Sequence, residues 1–254
     1  MRHFIRQPDG ADHPLTRLDA RVKLISTLAL LVMVISCQGV AFPLLTAGLA
    51  LFLCVAIGVR PRMLLVRFAE PLFIAGMVLL LKLFGTGTVP LFTWRFFDWQ
   101  IVGHLDGLLE GGRIASRIFG AVSLVALLGL STSFTDLMAA LAWLRVPKGF
   151  IEVALFAWRY LFVLFDDAQV VYSAQKNRLG YAGFRRGLRS FGTLAGALVI
   201  KAFDNSQTVT AAMVQRGYDG TMPMLRHKPF RVAEVLTSLM VVVAMGIMRH
   251  GIYL

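Results

Sequence analysis

Two short segments end in an arginine closely followed by a glycine, and they carry the most specific pattern in the sequence. One runs Ala174-Gln175-Lys176-Asn177-Arg178-Leu179-Gly180, and the other runs Ala211-Ala212-Met213-Val214-Gln215-Arg216-Gly217. Each is typical of the last turn of a helix, where the macrodipole favours a cation and a glycine suits a left-handed cap. A guanidinium placed there can pair bidentately with a carboxylate of another protein. Ordinary helix capping also produces this pattern, so it assigns no function on its own.

Other residues with catalytic potential form weaker patterns. Asp166-Asp167 could hold a metal ion in an intramembrane enzyme, but no second acidic cluster matches it at helical spacing. The polar turn from Asp204 to Gln207 is another candidate for such an enzyme. The five histidines include no pair at the i, i+4 interval of a metal site, and the phosphate-binding Gly-x-x-x-x-Gly-Lys-Ser/Thr loop is absent. We therefore expect no cofactor, no bound metal and no catalytic residue, and an intramembrane enzyme is kept as an alternative.

The composition is that of a membrane protein. The chain has 254 residues, of which 57% are hydrophobic and only 16% are charged, and its mean hydropathy is +0.70. A soluble domain of this length needs far less apolar surface. We expect an all-α integral membrane protein with about five transmembrane helices and a cytoplasmic coupling domain of about three amphipathic helices.

The apolar runs predict the spans and their order. Pro61 is expected to begin the third helix, and the segment from Gly85 to Gly112 is expected to be a loop on the outer face. The five predicted spans are 22–36, 40–59, 72–84, 114–130 and 232–248.

Three further helices are predicted to lie outside the bilayer, at 134–145, 151–178 and 190–216. They are amphipathic, or too polar or too short to cross. The sequence thus divides into residues 1–130 with four spans, a coupling domain at 131–231 and a last span within 232–254. Whether the apolar stretch 151–165 crosses the membrane stays open; if it does not, the chain has five spans and an outside C-terminus.

The sequence contains 26 Lys and Arg against 14 Asp and Glu, and the excess is clustered. Between residues 176 and 231 there are ten basic residues and only two acidic ones, Asp204 and Asp219. Clustered basic residues beside apolar spans mark the cytoplasmic side, where they suit anionic lipid headgroups or acidic partner surfaces. Nucleic acid is not expected as a partner, because the aromatic residues lie in apolar runs instead of among the charges.

The two arginine segments resemble the signatures of a known family, the transmembrane T component of energy-coupling-factor transporters, and especially the Q-type subunit of cobalt and nickel importers. The segment from Ala212 to Gly220 is similar to the second of two Ala-Arg-Gly-like signatures in that family, with Gln215 where alanine is usual. The first departs more, because Asn177 precedes Arg178 and Leu179 separates it from Gly180. The N-terminal Leu18-Asp19-Ala20-Arg21-Val22-Lys23-Leu24 also resembles the family's entry into its first helix.

The resemblance implies a non-catalytic scaffold in a bacterial inner membrane, with a cytoplasmic N-terminus. Its partners would be two cytoplasmic ABC ATPase subunits, a substrate-binding membrane subunit of the cobalt/nickel M type and, optionally, a small accessory membrane subunit. The ATPase-docking residues would be Ala174, Arg178 and Gly180 at one helix end, and Ala212, Arg216 and Gly217 at the other. The cargo, cobalt, nickel or a vitamin, stays open, and a self-contained secondary transporter is a further alternative.

Overall fold

The computed structural model describes residues 18–59, 61–85, 87, 90–96, 99–220 and 232–251. The helices, numbered here in chain order, are α1 (Ala20–Ile35), α2 (Ala41–Ala56), α3 (Pro61–Gly85), α4 (Leu105–Ser131), α5 (Phe134–Trp143), α6 (Lys148–Asn177), α7 (Phe184–Gln215) and α8 (Val232–Gly251). Two strands, β1 (Pro90–Phe96) and β2 (Trp99–His104), lie between α3 and α4.

The all-α membrane fold is confirmed. By length and composition, α4, α8 and the Leu64–Gly85 part of α3 can each cross a bilayer. The 16-residue α2 is apolar but shorter. At 1.5 Å per residue, it is about 24 Å long, somewhat less than the hydrocarbon thickness of a typical bilayer. The helix predicted to begin at Pro61 does so, and it continues through Pro71 to Gly85.

The segment from Gly85 to Gly112 is not the long loop that the sequence predicts. β1 and β2 pair antiparallel, with Phe96 opposite Trp99 and an irregular register between Pro90 and Phe92. α4 then starts at Leu105, about two turns earlier than expected. The sequence also predicts that Trp94, Phe96, Phe97 and Trp99 lie at the membrane interface, and the side chains of these residues are outside the described part of the structure.

The chain forms two compact units, residues 1–140 with 228–254, and residues 141–227. In the first unit, α1, α2, α4 and α8 converge on a buried cluster of seven side chains, Leu30, Val34, Cys37, Phe42, Ala50, Leu124 and Met245. α3 packs along α4, where the rings of Phe68 and Phe119 lie 5.4 Å apart. An ion pair between Lys82 Nζ and Glu110 Oε2 at 3.2 Å joins the same two helices.

Polar contacts tie three helices of the first unit together at the start of α1. Asp19 caps α1 by accepting a hydrogen bond from the Arg21 amide, and its carboxylate pairs with the buried Arg21 guanidinium at 2.9 Å. The Asp19 amide donates to Glu234 Oε2 of α8 at 2.9 Å. Lys23 Nζ donates to the carbonyl of Ser131, the last residue of α4, at 2.9 Å. These bonds hold α1 to α4 and α8.

The second unit is built on α6 and α7, two long helices joined by residues 178–183. Lys201 Nζ of α7 reaches Asp167 Oδ1 of α6 at 2.6 Å, which links the helices along their length. Both helices leave several large apolar side chains exposed, among them Val153 and Val170 of α6 and Phe184 and Val199 of α7. The helices predicted at 151–178 and 190–216 are present as α6 and α7. They start three and six residues earlier than expected, respectively.

Candidate functional site

α6 and α7 end in the same backbone motif, and each has an arginine at the C-cap position. The φ and ψ angles are −92° and 17° at Arg178, and −89° and 8° at Arg216. In α6, the Leu179 amide donates to Lys176 O at 3.0 Å and the Gly180 amide to Gln175 O at 2.9 Å. In α7, the amides of Gly217 and Tyr218 donate to Val214 O and Met213 O, both at 3.0 Å. These are the two hydrogen bonds of the Schellman motif.

The left-handed residue of this motif differs between the two ends. The prediction that a glycine takes the left-handed conformation is wrong for the end of α6. Gly217 takes the left-handed conformation at φ 82°, as expected. In α6 the left-handed residue is Leu179, at φ 57°, and not Gly180. Gly180 therefore corresponds in the cap to Tyr218, while Leu179 corresponds to Gly217. The two caps therefore have the same number of residues. Leu179 occupies the left-handed position in α6, and Gly217 occupies it in α7.

Gly180 is required because a side chain at this position would collide with its neighbours, and not because of its dihedral angles. A Cβ atom at this position would lie 2.8 Å from Ser190 Oγ and 2.9 Å from Gln175 O. Ser190, on the second turn of α7, donates from Oγ to Gly180 O at 2.8 Å. The glycine lets the start of α7 pack directly on the end of α6.

The side chain of Gln175 completes this contact, and the sequence analysis did not single it out. Its Nε2 donates to Ser190 O at 3.1 Å, and its Oε1 accepts from the Tyr181 hydroxyl at 2.8 Å. The ring of Tyr181 also lies 4.9 Å from that of Tyr172. The only signal available in the sequence was that these polar residues flank the short connection between two helices.

The arginine side chains themselves are exposed. Arg178 and Arg216 are both exposed to solvent, as are Ala174 and Ala212 one turn before them. Within the part of the chain that the structure describes, neither guanidinium makes an ion pair or a side-chain hydrogen bond. Each helix end thus presents an uncompensated cation beside a small alanine side chain, a combination that an acidic groove can accept.

The cap alone does not distinguish these two ends. α2 ends in the same way, with Gly58 at φ 87° donating to Val55 O and Val59 donating to Cys54 O. Its C-cap residue is the buried Ile57. The distinguishing feature of α6 and α7 is the exposed arginine at the C-cap.

The two ends also lie far apart. Arg178 adjoins the start of α7, whereas Arg216 follows its last residue. The 32 residues of α7 give it a length of about 48 Å at 1.5 Å per residue. The two arginines therefore form two separate candidate sites.

The candidate residues of an intramembrane enzyme lie within the two long helices, α6 and α7. Asp167 of α6 pairs with Lys201 of α7, as described above. The polar turn from Asp204 to Gln207 lies within α7, and the Thr208 hydroxyl donates to Asp204 O in the same helix. Among the described residues, no three His, Cys, Asp or Glu side chains are grouped closely enough to hold a metal ion.

Comparison with known proteins identifies the family. Residues 11–226 match the model of a family described as CbiQ, cobalt transport protein. The chain belongs to this family. It is a multi-pass membrane protein and a transmembrane component of a transporter of the energy-coupling-factor type.

Three relatives show the range of similar proteins. An uncharacterized protein of Methanocaldococcus jannaschii is 26% identical over 89% of this chain and 85% of its own length. A fused cobalt transport protein, CbiMQ, of Methanocorpusculum labreanum is 29% identical over 83% of this chain but only 36% of its own, longer sequence. The energy-coupling factor transporter transmembrane protein EcfT of Staphylococcus aureus is 25% identical over 84% of this chain and 83% of its own.

Proposed function

We propose that this chain is the non-catalytic coupling subunit of an importer, which joins two cytoplasmic ATPase subunits to a membrane subunit that captures the substrate. The observation that carries the proposal is the pair of exposed C-cap arginines, Arg178 and Arg216, one at each end of α7. Two like docking ends about 48 Å apart suit two copies of a partner better than one. ATP hydrolysis would take place in those partners and not in this chain.

Each docking end would work through its arginine and its alanine. The guanidinium of Arg178 or Arg216 would pair bidentately with a carboxylate in a groove of the ATPase. Ala174 and Ala212, one turn earlier, would let the walls of that groove approach the helix. Gly217, which has no side chain, would let the partner approach the end of α7. Gly180 would let the end of α6 pack on Ser190. Closure of the ATPases on ATP would then pull on both ends of α7.

The exposed apolar side chains of α7 support a second partner. Phe184, Leu188 and Phe191 recur at helical spacing and are 87%, 64% and 61% exposed. A contiguous apolar face of this kind marks an interaction site. A substrate-binding membrane subunit of the M type is proposed to cover it, with a small accessory subunit as an optional further partner. The fused relative CbiMQ, whose name joins M and Q in one chain, supports this pairing.

The proposed cargo is cobalt or nickel, because the matching family is described as cobalt transport protein. The alternative is a vitamin, since the chain is also similar to an energy-coupling factor transmembrane protein whose name specifies no metal. Uptake of labelled cobalt, nickel and vitamins by cells that carry the complete transporter separates these cargoes. The proposed location is the bacterial inner membrane with a cytoplasmic N-terminus, and a reporter fused after Leu254 would show on which side the other terminus lies.

Charge reversal at the two arginines tests the docking proposal. Arg216→Glu should reduce the amount of ATPase recovered with the tagged chain more than Arg178→Glu does, and the double variant should abolish recovery. Loss of a buried interfacial charge pair costs about 2–5 kcal/mol, or at least tenfold in affinity. Arg159→Glu is the matched control, because Arg159 is an exposed arginine in the interior of α6, away from both docking ends. Full recovery of the ATPases with the double variant would refute the proposal.

A further inference from the structure

A cavity of about 220 Å³ lies inside the first unit, between α1, α2, α4 and α8. One end of it is closed by Leu30, Ala50, Leu124 and Met245, which also belong to the buried cluster where the four helices converge. The other end is lined by Lys23 of α1 and Ser131 of α4. From Lys23 to Leu30 the cavity follows α1 for seven residues, or about 10 Å.

Along most of its length the cavity favours hydrocarbon over water. Its walls are mainly aliphatic side chains, and three of its hydroxyl groups donate to carbonyls of their own helices. Ser26 Oγ donates to Lys23 O at 3.0 Å, Thr46 Oγ1 to Pro43 O at 2.8 Å, and Thr237 Oγ1 to Glu234 O at 3.0 Å. A water molecule needs two to four polar partners, and apolar cavities of about 150 Å³ stay dry and bind hydrocarbons.

The end of the cavity at Lys23 has charges of both signs. Lys23 lines the cavity and supplies a cation, and Asp136, Glu234 and Asp19 all attract its ammonium group. Carboxylates there suit a ligand ammonium group, and the cation suits a phosphate. The mixed charge therefore matches a zwitterionic headgroup better than a purely anionic one.

We propose that this cavity binds one acyl chain of a bilayer phospholipid, with its zwitterionic headgroup at the Lys23 end. The depth of about 10 Å covers much of one leaflet, whose hydrocarbon is about 15 Å thick. An acyl chain supplies the dispersion contacts that an empty cavity forfeits. The bound lipid acts as a structural ligand that fills the gap left by the four helices below their point of convergence. This site is independent of the proposed ATPase docking, so either proposal can fail without the other.

The test begins with the wild-type chain, purified from vesicles of phosphatidylethanolamine and phosphatidylglycerol and analysed by native mass spectrometry after detergent exchange. One phosphatidylethanolamine should remain bound per chain. A phosphatidylethanolamine with a photoactivatable group near the end of its acyl chain should label Leu30, Leu124 or their neighbours in the cavity. Absence of retained lipid, or retention of phosphatidylglycerol alone, would overturn the proposal.

Variants that fill the cavity provide a second test of lipid binding. Thr27→Phe and Ser238→Phe place rings in the lining and should lower lipid occupancy at least tenfold. Leu28→Phe and Leu239→Phe are matched controls, one residue further along the same helices, at positions that are 60% and 58% exposed and do not line the cavity. They should retain the lipid. If the filled variants instead melt at a higher temperature while the wild type holds no lipid, the cavity is empty and the proposal is wrong.

Discussion

The ends of α6 and α7 reach one backbone geometry with different residues. At the end of α7, Gly217 supplies the left-handed conformation, and among the described residues beyond its two chain neighbours no atom lies within 4 Å of the place where its Cβ would be. At the end of α6, Leu179 bears the left-handed conformation, and the glycine that follows it is crowded by Ser190. A cap at a free helix end has to be stable by itself, whereas a cap inside a helical hairpin is also held by the next helix.

Replacing Gly180 with alanine tests the crowded end of α6 and has a larger expected effect than changes at the left-handed residues or at the ion pair. The added methyl group would meet Ser190 Oγ and Gln175 O at 2.8 and 2.9 Å, and such overpacking costs about 1–3 kcal/mol. Amide hydrogen exchange over residues 175–180 should speed up about tenfold or more, since 1.4 kcal/mol corresponds to a factor of ten.

Gly196→Ala is the control for this change. Gly196 lies in α7, and a Cβ there would have no neighbour within 4 Å. Helix propensity favours alanine at such a position by about 0.5–1 kcal/mol. Exchange should therefore slow slightly or stay unchanged. Equal behaviour of the two alanine variants would show that α7 does not press on Gly180.

Exchanging the left-handed residues Gly217 and Leu179 tests the comparison between the two helix ends directly. Gly217→Leu should destabilise the end of α7 by about 1–2 kcal/mol, the cost of a left-handed side-chain-bearing residue. Leu179→Gly should stabilise the end of α6 by about 1 kcal/mol, because Leu179 is 69% exposed and loses little packing. Exchange of the amides of Tyr218 and Gly180 measures each cap. Effects of the same sign in both variants would contradict the assignment of these positions.

Removing the ion pair between α6 and α7 should have the smallest effect. The Lys201 side chain is 53% exposed and that of Asp167 is 23% exposed, so the pair contributes about 1 kcal/mol at most. Lys201→Met should lower the melting temperature in detergent by less than about 3 °C. Arg185→Met, at an exposed position of the same helix, serves as the control. A larger drop for Lys201→Met would make this pair, and not the Gly180 contact, the main link between the helices.

Much of the helical framework could be predicted from the sequence, because the signals are local. Apolar runs and Pro61 predict where helices lie. Ser133 is a residue type typical of an N-cap, and it accepts a hydrogen bond from the Asp136 amide at the start of α5. The hairpin at 90–104 was not predicted, because its strands are stabilised by pairing with each other. The early start of α4 follows from the same hairpin, which ends directly at His104.

At the candidate site, the sequence determined that two long helices end at Arg178 and Arg216, since charge, helix propensity and capping act within one turn. Tertiary structure decided what each glycine does. Gly180 and Gly217 look alike in sequence, but only packing of α7 on α6 places Ser190 and Gln175 around Gly180. The left-handed conformation lies on Leu179, the residue after the C-cap. Gly180 is left with the contact to Ser190, which exists only after both helices have formed and turned back on each other.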